Sequence, residues 1–117
     1  MARVRAAMSS GAMMRVASRV IRSLPRPFGE RAAELVSMVQ RMPTRYEART
    51  MGRLRRSSLL GMFRPGVGGA PDAIVVFRRP ILRASRSRRR AAVHVSLTVL
   101  HELGHALGLS EGAVAHL

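Results

Sequence analysis

The residues best suited to do chemistry lie close together near the end of the chain, in His101-Glu102-Leu103-Gly104-His105. In a helix, positions four apart stand about one turn along the same face, so the two imidazoles can reach a single tetrahedral zinc ion from one side. Glu102 falls in the neighbouring sector. There a carboxylate can serve as general base toward a zinc-activated water. Only three of the five positions in this pattern are fixed, so it takes its weight from its surroundings.

Those surroundings read as one long helix. From about Ser87 to Leu107 there is no proline, and glycine appears only near the end, at Gly104 and just beyond at Gly108. Leu97, Leu100, Gly104 and Leu107 make one apolar stripe, and Val95, Val99, Leu103 and Ala106 make another. His94, Thr98, His101 and His105 share the remaining strip, with Glu102 alongside. A helix apolar around most of its circumference is expected to be largely buried, and its polar strip then needs a metal or a cleft as partner. Gly108 suits a left-handed helix end. His94 is about 10 Å from His101 along the axis and cannot share its ion.

With 117 residues the chain is sized for one small domain. Cysteine is absent, which excludes disulfides and thiolate zinc sites and leaves histidine and carboxylate ligands. Every one of the 21 basic residues is arginine, and the net charge is +15. Such a charge attracts nucleic acid, phosphate and anionic surfaces non-specifically without naming a dedicated partner. Residues 1–27 contain arginine but no acid, a composition shared with transit peptides. We expect a basic, disordered extension there, followed by the domain over residues 28–117. No apolar run is long enough for a transmembrane helix, and a cytoplasmic location is expected. Oligomeric state is left open.

Between these ends the signals are shorter. Ala32, Leu35, Val36, Val39 and Met42 repeat at helical spacing, which predicts a packing helix over residues 29–42, closed by Pro43, with Met38 and Met42 as core fillers. Tyr46, Ala48 and Thr50 alternate with charged residues, a faint strand signal. Arg53, Arg55 and Arg56 read as a solvated face, with nucleic-acid contact as the sharper alternative. Residues 64–72 are loop by composition, and the glycines there lack the continuation of a phosphate-binding loop. Ala73-Ile74-Val75-Val76-Phe77 is a strand stopped by Arg78, Arg79 and Pro80. It is either a core strand or an edge on which an extended peptide could pair. Arg83, Arg86, Arg88, Arg89 and Arg90 form a solvated lead into the metal helix.

Taken together, Leu59 to Phe63, Pro71 to Arg83, and Thr98 to His105 with Gly108-Leu109 resemble the minimal zincin-like metallopeptidases of bacteria over roughly residues 29–117. That resemblance implies a small α/β (α+β) domain with a short sheet packed on a long metal-binding helix. It also implies zinc on His101 and His105, Glu102 as base, and peptide-bond hydrolysis of a peptide or protein substrate. The family's extended motif places an aspartate six residues after the second histidine; here that position is Glu111, a carboxylate one methylene longer, which the resemblance makes the third ligand, with His116 as the other candidate. No methionine follows Met62, which excludes a Met-turn. This chain departs from the family in being basic ahead of the metal helix. Two other classes stay open: a non-catalytic zinc-binding interaction module, and a basic nucleic-acid-binding protein with an incidental motif.

Overall fold

The computed structural model describes residues 7–26 and 28–108. The architecture follows from the apolar strand Ala73–Phe77. Side chains alternate between the two faces of a strand, so five consecutive apolar residues require a covering layer on each side. All five are buried. Ile74 and Val76 join the main core with Val39 and Phe63. Ala73, Val75 and Phe77 close a second cluster with Leu59 and Met62.

Numbered in chain order, the strands are β1 (Val36–Gln40), β2 (Gly61–Arg64) and β3 (Ala73–Phe77). They form one sheet in the order β1-β3-β2, with β1 parallel and β2 antiparallel to β3. The apolar strand is therefore the central one. The alternative that made β3 an edge for peptide pairing is corrected: its two edges are already hydrogen-bonded to β1 and β2.

The helices are α1 (Ser10–Arg22), α2 (Phe28–Ala32), α3 (Arg45–Thr50), α4 (Arg78–Ala84) and α5 (Arg88–Ala106). Helix α5 matches the long helix expected from the sequence. Ser87 caps it by accepting a hydrogen bond from the Arg90 amide at 3.1 Å, and Gly108 just beyond its end has φ +79°. Ala91, Val95, Val99 and Leu103 are sealed into the core. The other apolar stripe is buried at Gly104 but open at Leu97, which is 58% exposed. The helix is thus buried on one face only, and the expectation of near-complete burial is corrected. Helix α4 starts directly after β3 and carries Pro80 in its first turn, where a missing amide costs no helical hydrogen bond.

Three expectations change with tertiary context. Residues 10–22, expected in a disordered extension, form a helix whose Ala12, Met13, Ala17 and Ile21 are buried and which packs on α5 and β1. Its N-cap is Ser9, whose hydroxyl accepts from the Ala12 amide at 3.0 Å. The single helix expected over residues 29–42 is instead the short α2 followed by β1. Val36 to Gln40 pair residue by residue with Ala73 to Phe77, satisfying an edge of β3 that a helix could not. Met38, expected in the core, is 40% exposed on that strand. The faint strand at residues 46–50 is α3, set by a capping box between Thr44 and Glu47.

Two polar clusters tie the layers. Arg64 donates to Glu47 and, at 3.1 Å, to Gln40, while Gln40 donates to the Met42 carbonyl. Asp72 accepts from the Gly66 amide at 2.7 Å and from Arg31 at 3.1 Å. Among the described residues no helix is long and apolar enough to cross a membrane.

Helix α5 meets the sheet at Gly61. A Cβ there would collide with the Thr98 methyl and approach the Val75 carbonyl oxygen to 2.7 Å. Gly61→Ala is expected to destabilise the protein by about 1–3 kcal/mol through overpacking, with partial recovery in Gly61→Ala/Thr98→Ala, read by denaturant unfolding. Acid should weaken the fold as well. The Asp72 carboxyl is held below its ordinary value by the Gly66 amide and Arg31. At Glu47 burial opposes ionisation, but the Thr44 amide, Arg64 and Gln40 outweigh it and lower its pKa. Groups with lowered folded pKa stabilise above their unfolded value, and that stability is lost as pH falls through the folded one. Unfolding midpoints should therefore drop below about pH 4, and the drop should be shallower in Glu47→Gln.

Candidate metal centre

Helix geometry places His101, Glu102 and His105 at the border between the buried and open faces of α5. Glu102 is only 4% exposed, His101 is exposed and His105 is half-buried. The imidazoles turn toward one another, with Nε2 of His105 3.1 Å from Nε2 of His101 and the rings nearly perpendicular at 78°. Two nitrogens bound to one tetrahedral zinc at roughly 2.1 Å each lie about 3.4 Å apart. The observed spacing is close to that edge of a coordination tetrahedron. Candidate ligand atoms of His101, Glu102 and His105 all lie within 4.8 Å of one another, so the group can hold a metal ion. The donor set, imidazole nitrogen and carboxylate oxygen, suits zinc.

The group lies in a cleft of about 480 Å³. One wall is the polar strip of α5, with His94, Leu97 and Thr98 preceding the motif. The facing wall comes from Met51, Arg53 and Ser58, then Leu59, Leu60 and Gly61 at the start of β2. The glycine contact with Thr98 therefore sets how closely this strand approaches the metal helix, one turn before Glu102. β2 is an edge strand of the sheet, and it is this strand, not β3, that borders the cleft.

His94, whose position on α5 suits packing more than the cleft, lines the cleft and is held by Ser85. The Ser85 hydroxyl lies 2.6 Å from the Ile81 carbonyl and 2.7 Å from His94 Nδ1. A carbonyl only accepts, so the single hydroxyl proton goes to Ile81 and the Nδ1 proton must go to Ser85. That fixes the tautomer and leaves Nε2 as the nitrogen available for other contacts.

Sequence spacing brought out the helical half of the site and missed the facing wall. Arg53, Leu60 and Gly61 are remote in sequence from the motif, and no local pattern marks them as its neighbours. Ser85 is likewise visible only through the packing of α4 on α5. Glu111 and His116, the two candidates for a third ligand, lie outside the described residues.

A helix carrying a His-Glu-His group able to hold a metal, backed by a small mixed sheet with a cleft between helix and edge strand, is the class of structure these features define. The chain belongs to the zincin-like metallopeptidase family, whose profile matches residues 32–117. A comparison with curated proteins gave no match.

Elemental analysis should find one equivalent of zinc in protein purified with that metal. His101→Ala and His105→Ala should each weaken zinc binding by roughly a hundredfold or more. His94→Ala, about 10 Å away along the helix, should retain it; loss of zinc there would place the metal elsewhere.

Proposed function

We propose that this protein is a zinc-dependent peptidase that hydrolyses peptide bonds with Glu102 as general base and His101, His105 and Glu111 as metal ligands. The observation that carries the reading is the convergence of the two imidazoles beside a buried glutamate at the floor of a cleft. When bound, zinc supplies Lewis acidity, lowering the pKa of water toward neutrality and polarising a carbonyl.

The chain's own groups divide the remaining work. Glu102 accepts the proton of the attacking water and returns it to the departing amine. Burial keeps its carboxylate among few conformers, so the proton is transferred at one place. Substrate backbone is received along β2, whose outer edge offers main-chain groups for pairing with an extended peptide. Leu60, Leu97 and Met51 provide apolar wall on either side. The arginines spread over the surface draw anions generally, and this attraction is separate from the chemistry.

Glu102→Gln should retain zinc and lose turnover on a mixed peptide substrate by roughly 10²–10⁴-fold, measured by mass spectrometry of the products. Chelation should abolish the wild-type activity, and added zinc should restore it. Unchanged function in Glu102→Gln would instead identify a non-catalytic zinc-binding module. Binding to nucleic acid that is steeply salt-dependent and indifferent to chelation would favour the nucleic-acid reading.

A further inference from the structure

The charge around the cleft is one-sided. Among the described residues the acids other than Glu102 are Glu30, Glu34, Glu47 and Asp72, each paired with an arginine: Glu30 with Arg26, Glu34 and Asp72 with Arg31, Glu47 with Arg64. None of these four lines the cleft. Arg53 does, next to apolar Leu59 and Met51, and its guanidinium makes no ion pair among the described residues. His94 stands on the opposite wall with its ring fixed by Ser85. Helical spacing puts Arg90, also exposed, one turn before His94 on the same strip.

We propose that the cleft and the strip of α5 leading out of it select peptides with acidic side chains about three to five residues from the bond that is cut, bound by Arg53 on the cleft wall and by Arg90 beyond His94 on the strip. The substrate class deepens, and rests on, the peptidase reading of the site. The spacing comes from the helix. His94 and Arg90 lie about 10 Å and 16 Å from His101 along the axis, which an extended peptide covers in about three and five residues. The exposed guanidinium of Arg53 presents a fork that donates two parallel hydrogen bonds to a carboxylate. Neutral Gln or Asn cannot reproduce that pairing. The protein's overall charge does not supply the same selection. At physiological salt the screening length is about 8 Å, so arginines on the far side of the molecule contribute little at the cleft.

Binding separates this proposal from the peptidase reading. Zinc-loaded Glu102→Gln protein is titrated at physiological salt with fluorescent peptides of equal length, one series carrying Asp and Glu and the other Asn and Gln at the same positions. The acidic series should bind about tenfold more tightly. Most of that difference should disappear with Arg53→Gln, part of it with Arg90→Gln, and none with Arg19→Gln, which removes the same charge from the exposed face of α1. Equal affinity for the two series, or an equal loss with Arg19→Gln, overturns the proposal. The wild-type protein acting on a mixed peptide library should enrich acids three to five residues to one side of the cut. Cleavage without that enrichment sinks the charge selection and leaves the peptidase standing. Arg53-dependent binding of acidic peptides without any cleavage supports the anionic subsite and removes the peptidase.

Discussion

The site depends on α5 being gripped from one side. Ala91, Val95, Val99 and Leu103 are locked against α1 and the sheet, while Leu97 and His101 on the other side stay open. A helix free to roll would sweep its histidines through solvent. A helix buried all round would leave no room for substrate. The close approach of Gly61 to Thr98 adds a second restraint, because it fixes the strand that faces the motif. Orientation of the imidazoles is therefore a packing result before it is a coordination result. Side chains carried on a helix held in this way lose little conformational freedom on taking up an ion, and preorganisation of that kind strengthens a site without adding contacts.

Local patterns were legible where local forces decide. The run of α5 and its Gly108 terminus follow from spacing and residue type alone. Strand β3 was equally plain, since a short β-branched run has few other uses. Val36 and Val39 misled because positions three apart fit a helix and also occur in a strand whose flanking residues are part of the core. Only the unpaired edge of β3 decides between them. Tyr46, Ala48 and Thr50 misled for the opposite reason. The Thr44 to Glu47 capping signature was in the sequence and is stronger than a three-residue alternation.

The first helix shows how composition can mask periodicity. Ala12, Met13, Ala17 and Ile21 recur at helical intervals, with Val16 and Val20 beside them, while Arg15, Arg19 and Arg22 take the outer face. Counting arginines without asking where they fall makes the stretch look like a tail. Half of the functional site was hidden by a different limit. The wall bearing Arg53 reaches the motif only through the sheet, and Ser85 reaches His94 only through the turn between α4 and α5. Contacts of that kind are set by topology, which no single-sequence spacing encodes.

Helix α1 also bears on how the molecule can be divided. The family profile begins at residue 32, yet the apolar side of the metal helix is sealed in part by Met13 and Ala17, well upstream of that point. A protein trimmed to the matched segment would uncover that side of α5 and expose a greasy flank beside an arginine-rich surface. Stickiness, low solubility or loss of metal in such a fragment would then report a missing lid on the core and say nothing about the chemistry of the intact chain.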